Sequence, residues 1–219
     1  ARYAAEPDAL KMTHNPAKKI DLRKQLKYLY SPSASEAQTV DVPRFSFILI
    51  DGRGDPNGAG FGDAISALYS LSYTLKFMIR KEKAIDYPIM ALEGLWWTDS
   101  GRFDMANRNE WNWTAMMMQP EFVTHALYRR AAEEVRKKKD IKALGVARLE
   151  AFHERLSAQI MHIGPYSAEG PTIERLHSYI RESGGEPTGK HHEIYLGDPR
   201  RAAPSKLRTI LRQPFEKSA

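Results

Sequence analysis

The chain has 219 residues, enough for one large domain or two small ones, and its 42% hydrophobic and 27% charged residues are ordinary for a globular protein with a core. It contains no cysteine, which excludes a disulfide framework, a thiolate nucleophile and a thiolate metal site and fits a reducing cytosol. The 33 Lys and Arg against 27 Asp and Glu leave a net charge of +6, which permits nucleic-acid binding without requiring it.

No apolar run approaches the ~20 residues of a membrane span, so a cytoplasmic protein without a membrane partner is expected. Residues 1–19, ARYAAEPDALKMTHNPAKK, lack the apolar segment of a signal peptide. They read as a disordered or expression-derived leader, with Met12 as a native start. Residues 20–30 carry apolar side chains at 22, 26 and 29, the spacing of a short amphipathic helix. After the loop SPSASEA, residues 39–51 read as one strand with Pro43 near its start or at an edge. GRGDPNGAG at 52–60 is a long turn, since it has the glycines of a phosphate loop without their order. A helix is predicted over 61–80, with Ile65, Leu68, Tyr69, Ser72, Leu75 and Ile79 on one face. The strand PIMALEGLWW at 88–97 follows, then a polar loop and the strand WNWTAMMM, ended by Gln119-Pro120.

A second long helix is predicted over 121–139. Its basic residues, from Arg129 to Lys139, form a solvated face that complements the helix C-terminal dipole. The pattern then restarts with a strand at 156–163, a Gly164-Pro165 turn, a helix at 172–182 stopped by Gly184-Gly185, and a strand at 191–196. The last strand, 206–212, is ended by Gln213-Pro214. The order strand, helix, strand, strand, Gln-Pro thus occurs twice. The expected architecture is α+β: a single domain over 20–216 made of two pseudo-twofold-related β-α-β-β modules, about 39–120 and 149–216, joined by the helix at 121–139. Mainly antiparallel sheets would set their exposed faces around a central ligand cleft.

Glu93 is the one charged residue in 88–97, and a carboxylate among aliphatic and indole groups needs a partner, a cationic ligand or a proton. In the second module HHEIYL corresponds to that strand, with His191, Glu193 and Tyr195 alternating on one face. Glu93 and Glu193 are therefore expected to face one cleft from opposite sides. One, its pKa raised by apolar surroundings, would act as acid, and the other would orient water. Tyr195 would hydrogen-bond a developing oxyanion. Trp96, Trp97, Trp111, Trp113, Tyr69 and Tyr73 would wall the cleft and His191 would border it, offering π faces to a planar or cationic ligand. Tryptophans at alternate strand positions also fit a plain core. No cluster has convincing metal-ligand spacing, and neither a metal nor an organic cofactor is expected.

The segments YSPS at 30–33, IDGRGDP at 50–56, LYSLSYTLKF at 68–77, PIMALEGLWW at 88–97 and HHEIYLGDPRRAAPSKLRTILRQP at 191–214 together resemble the GyrI-like small-molecule-binding domain proteins. The resemblance runs from about Asp21 to Pro214. It implies duplicated modules around a ligand cleft and a planar hydrophobic or cationic small molecule as partner. The Trp96-Trp97 pair and HHEIYL resemble a stand-alone branch with cyclopropanoid cyclohydrolase activity, which opens the strained ring of DNA-alkylating compounds with water in xenobiotic resistance. By position, the resemblance puts that chemistry on Glu93, Glu193, Tyr195, Trp96 and Trp97. Two rivals stand beside it. One is a non-catalytic multidrug-binding or sensing module with a buried glutamate, and the other an interaction protein whose basic surface meets nucleic acid, a partner the first two readings do without.

Overall fold

A computed structural model describes residues 17–101, 103 and 106–218. The leader expected over 1–19 lies outside the described residues as far as 16. In chain order the elements are β1 (Lys18–Lys19), α1 (Leu22–Gln25), α2 (Lys27–Tyr30), β2 (Gln38–Val42), β3 (Phe45–Arg53), α3 (Ala59–Lys83), β4 (Ile85–Asp86), β5 (Leu92–Trp97) and β6 (Asn112–Gln119). There follow α4 (His125–Lys138), β7 (Arg148–Phe152), β8 (Arg155–Ile163), α5 (Gly170–Glu182), β9 (Gly185–Pro187), β10 (His191–Tyr195) and β11 (Arg208–Lys217). Lys18 and Lys19, assigned above to the leader, pair in parallel with β4.

The architecture is α+β, with one antiparallel sheet in the order β2-β8-β11-β10-β5-β6-β3-β7 and β9 beside the end of β11. The order is symmetric about the β5–β10 seam. Module β3-α3-β5-β6 lies on one side of it and module β8-α5-β10-β11 on the other. The two modules also exchange their leading strands. β2 enters the first module but pairs with β8, while β7 enters the second and pairs with β3. The predicted single strand over 39–51 is therefore two strands, broken at Pro43-Arg44, because a proline without an N–H suits a corner where the chain changes neighbours.

Other boundaries differ from the sequence reading, among them that of the helix expected over 20–30, which is two short helices broken at Leu26. Residues 88–91 make no ladder, and the strand begins at Leu92. Helix α4 begins at His125 because Thr124 caps it, accepting the Leu127 N–H at 3.3 Å. Gln213-Pro214 does not end β11. Pro214 is the last residue paired with β8, after which Phe215–Lys217 pair with β9. The missing N–H falls where the strand changes partner.

Helices α3 and α5 cover the same face of the sheet. Phe61 of α3 packs on Trp96 and Trp113, with ring centroids 5.2 and 5.0 Å away. Leu176 and Ile180 of α5 are buried against Ile160 and Leu211. α3 buries a stripe of Phe61, Ala64, Leu68, Leu71, Leu75 and Ile79, spaced by three and four residues. A second stripe, through Tyr69 and Tyr73, is left to line what lies between the two helices.

The opposite face holds a buried ionic chain at the seam. The Tyr30 hydroxyl donates to Glu93 Oε1 at 2.9 Å, and Glu93 Oε2 lies 3.0 Å from His192 Nε2. His192 Nδ1 meets Glu154 Oε1 at 2.9 Å, and Arg212 Nη1 donates to Glu154 Oε2 at 3.1 Å. The remaining Arg212 donors reach the Gln159 Oε1 and Leu29 carbonyl oxygens. With His192 protonated, two carboxylates balance two cations, the condition under which buried charges are tolerated. Burial alone would depress His192, but the carboxylates of Glu154 and Glu93 overcome it and push its pKa up to about 9. Burial alone would raise Glu154, but His192 and Arg212 hold it down to about 2.

The stability supplied by His192 is thus fully present below its unfolded value of 6.5 and lost as pH rises through about 9. That supplied by Glu154 is fully present above 4.5 and lost as pH falls through about 2. The unfolding free-energy difference between wild type and His192→Gln should be largest near pH 6, shrink as pH rises from 6.5 to about 9 and change no further above that. Arg212→Met, which strands Glu154, should cost about 3–5 kcal/mol by denaturant titration. An unmoved midpoint in Arg212→Met would show that the chain contributes nothing to stability.

Candidate active site

Strands β5 and β10 pair antiparallel with His191 opposite Trp96, Glu193 opposite Gly94 and Tyr195 opposite Leu92. Paired residues point the same way, so these side chains share the face covered by α3 and α5. They form the floor of a cleft of about 1850 Å³ whose walls are the two helices. The cleft therefore opens between the helices, over the seam, and not between uncovered sheet faces as the sequence reading expected.

The floor carries a directed hydrogen-bond relay. Trp96 Nε1–H donates to the Tyr195 hydroxyl oxygen at 3.0 Å, and that hydroxyl donates to Glu193 Oε2 at 2.8 Å. His191 Nε2 is 3.6 Å from Glu193 Oε1. Gly94 makes the relay possible. A Cβ there would stand 2.8 Å from Trp96 Nε1 and 3.1 Å from the Tyr195 oxygen. The bare backbone lets the indole lie across the strand to its partner. Burial and the adjacent Glu193 push the Tyr195 pKa well above the ordinary phenol value, so it stays a donor. Tyr166 packs edge-on against Tyr195 at 5.5 Å, and burial with Glu169 nearby pushes its pKa to about 12.

Glu169, at the head of α5, supplies a second carboxyl. It is 5% exposed and its Oε1 has no hydrogen-bond partner among the described residues. Burial, reinforced by the like charge of Glu193 and partly opposed by Thr209, pushes its pKa up to about 9. At neutral pH it is a carboxylic acid beside a carboxyl that already accepts a hydrogen bond. His177 lies two turns further along α5 on the cleft wall. Burial and His191 lower its pKa, and its Nε2 is also unpartnered.

Of the residues singled out in the sequence, Glu193, Tyr195, His191 and Trp96 come together on this floor. Tyr69, Tyr73 and Trp111 line the walls, Trp111 with its ring 6.1 Å from that of Trp96. Trp97 lies at the rim with the Lys190 ammonium 3.3 Å above its ring. Two expectations fail. Glu93 faces the other side of the sheet, in the ionic chain with Tyr30 and His192, because its cross-strand partner is Ile194 and not a cleft residue. Trp113 shares the cleft-side face but is core: it lies across Gly52, where a Cβ would come within 2.2 Å of its ring, and under Phe61.

The sequence reading missed Glu169, His177 and Tyr166. The available signal was the α5 spacing, which puts Gly170, Ile173, Glu174 and His177 on one stripe directly after Glu169. Among the described residues no group of three or more His, Asp or Glu is arranged to hold a metal ion.

Gly94→Ala should shift the Trp96 indole N–H resonance, one of four in the chain, and destabilise the fold by about 1–3 kcal/mol. An unchanged indole spectrum would show that the Trp96–Tyr195 bond does not depend on the glycine.

No match exists among curated proteins. Solved structures are closely similar. An uncharacterized conserved protein from Listeria innocua is 39% identical and superimposes with a TM-score of 0.85, covering 90% of this chain and 100% of that one. A hydrolase from the same organism is 37% identical with a TM-score of 0.82, covering 91% and 100%. Another Listeria innocua hydrolase is 36% identical with a TM-score of 0.79, covering 90% and 100%. The GyrI-like small molecule binding domain matches residues 35–214, which span both modules and every residue of the cleft floor, and the chain belongs to that family.

Proposed function

We propose that this protein is a cytoplasmic detoxifying hydrolase that opens strained cyclopropane rings of planar, DNA-alkylating compounds with water. One observation carries the reading: the Tyr195–Glu193 hydrogen bond of 2.8 Å on the floor of an aromatic cleft, beside a carboxyl held in its acid form. The two hydrolases of similar sequence support the reaction class, and the cleft supports a small-molecule substrate.

The planar body of the substrate lies among Trp96, Trp111 and Tyr69. Glu169 donates a hydrogen bond to the carbonyl conjugated with the cyclopropane. Glu193, held by Tyr195, accepts a proton from water as the water oxygen attacks the strained carbon. One ring C–C bond breaks, its electron pair flows into the conjugated system, and the carbonyl oxygen takes the Glu169 proton to become a hydroxyl. The product carries the whole water molecule, and transfer of the proton from Glu193 to Glu169 restores the site. The sequence reading divided the acid and water-orienting roles between Glu93 and Glu193 without saying which took which; with Glu93 on the other face, the acid role goes to Glu169. Trp96 acts through Tyr195 and is a positioning residue.

Single-turnover incubation with a cyclopropane-containing alkylator, read by mass, tests this. Wild type should add one water, and Glu193→Gln should react at least about a hundredfold more slowly while still quenching tryptophan fluorescence on binding. Turnover unchanged in Glu193→Gln removes the assignment. Because the acid form of Glu169 is required, the rate should fall as pH rises through about 9, and Glu169→Gln should lack that limb. A rate independent of pH between 7 and 10 in wild type would take Glu169 out of the reaction. Ligand quenching with no product in any variant would favour the second reading, a non-catalytic binding module. The feature behind that reading is the unpartnered oxygen of Glu169, placed to meet a cation or donor on a bound drug.

A further inference from the structure

Helix α3 ends in a concentration of positive charge. Arg80, Lys81 and Lys83 occupy its last turn, and all three are exposed. Beside them β1 adds Lys18 and Lys19, both exposed. The backbone fixes that placement: the Lys18 N–H donates to the Ala84 carbonyl at 2.7 Å and the Ile20 N–H to the Asp86 carbonyl at 2.9 Å. Lys76 and Arg130 complete the group, the first bound to Asp86 at 2.9 Å and the second to Glu82. Seven cations thus meet two carboxylates, a surplus of five, where the whole chain has a net charge of +6. Among the described residues Lys18, Lys19, Arg80, Lys81 and Lys83 make no salt bridge.

The fold does not demand this charge. Cations in a last helical turn complement the helix dipole, which accounts for the three on α3 and not for the two lysines of β1. β1 buries neither side chain, so its pairing with β4 adds like charge to that turn without adding to the core. The pseudo-twofold supplies a comparison: the equivalent end of α5 and the β9 strand after it carry Arg181 against Glu182 and Glu186, with no surplus of cations. Like charges gathered on rigid elements repel, and a polyanion relieves the repulsion. The broad apolar stripe of α3 is packed on the sheet, and the exposed rings of Tyr73 and Phe77 are too little to replace it as a face that enters a bilayer. A helix C-terminus presents carbonyls rather than N–H groups, so a small free anion finds no cradle there. Charge with neither cradle nor apolar face fits phosphates already fixed along a backbone.

We infer that the end of α3, with β1 beside it, is a docking surface for double-stranded DNA, held through its phosphates and without sequence preference. No base is read because α3 is packed on the sheet and β1 has two residues, so neither can enter a groove. The surface is separate from the cleft. Tyr73 is the last α3 residue that lines the cleft, and Arg80 lies seven residues, about 10 Å, beyond it. DNA on this end therefore leaves the cleft lining uncovered. The inference goes beyond the proposed hydrolysis and does not rest on it, since no cleft residue takes part.

The test titrates the full chain into fluorescein-labelled DNA duplexes of about 20 base pairs and two unrelated sequences, read by anisotropy. Both should bind with a Kd in the micromolar range at low salt, and log Kd should rise with log salt concentration with a slope of about 3–5, since each neutralised phosphate contributes ~0.9. Lys81→Glu with Lys83→Glu should weaken binding at least about tenfold and flatten the slope by about 2. Lys18→Ser with Lys19→Ser, outside any helix, should flatten it by the same amount. The control is Lys137→Glu with Lys142→Glu, exposed residues at the other end of α4, where Lys139 Nζ reaches Ser70 Oγ at 3.0 Å; it should leave the slope unchanged. All the substituted residues are exposed, so the variants keep the fold. Binding of neither duplex, a slope below about 1, a preference of more than about tenfold for one sequence, or an equal loss in the control would overturn the inference. So would tighter binding to phosphatidylserine–phosphatidylcholine vesicles than to DNA, which would make the surface a membrane contact. If cyclopropane hydrolysis fails while DNA binding persists, the reaction is wrong and the docking surface stands; the reverse result rejects the surface alone.

Discussion

The pairing of β5 with β10 is the constraint on which the rest depends. Among the described residues it is the only ladder joining the two halves at the centre of the sheet, and its register assigns each polar side chain there to one face or the other. Trp96, Glu193, His191 and Tyr195 go to the cleft; Glu93 and His192 go to the far side. A slip of β5 by one residue would set Glu93 in the cleft and turn Trp96 away from it, and a slip of β10 would turn Glu193 to the far side. The ionic chain opposes such a slip. Glu93 and His192 are met by groups fixed on α2, before β8 and on β11, so a shifted register would strand buried charges at several kcal/mol each.

The two carboxyls of the cleft are differentiated by their neighbours. Glu193 accepts from a phenol at 2.8 Å and has an imidazole nitrogen at 3.6 Å. Glu169 has burial, an unpartnered oxygen and the like charge of Glu193, all of which favour the acid form. This division is the one that acid–base chemistry needs, and neither a metal ion nor a third charged residue is required to produce it.

The element order was legible because the hydrophobic periods of two and 3.6 residues are local, as is the stop at Gly184 and Gly185. Alternation also identified His191, Glu193 and Tyr195 as one face. It could not say which face of β5 joins them, because that depends on a register between strands about a hundred residues apart. Glu93 was misplaced for this reason alone. Trp113 was misread because the bare backbone of Gly52, which lets its indole lie flat, belongs to another strand. Glu169 escaped notice because its identity is ordinary; only the like charge and the apolar wall around it, assembled from α5 and β10, make it unusual. The Gln-Pro pair was read as a stop where it marks a change of partner, since the sequence does not show that β9 stands ready beyond it.

The pseudo-twofold also frames how the polar groups of the cleft floor come to lie on one side of it. Two equivalent strands meet at the seam, and identical strands would place like groups in register and repel. Here the two strands carry complementary side chains. β5 contributes Gly94 and Trp96, a platform with an open backbone and a single donor. β10 contributes His191, Glu193 and Tyr195, three titratable groups, with the Tyr195 hydroxyl donating to Glu193. The helices differ in the same sense: α3 gives an aromatic wall and α5 one carrying Glu169 and His177. Two copies of one module can thus hold a flat apolar surface against a polar one across a single cleft, an arrangement that a lone module with one helix and half the sheet could not build.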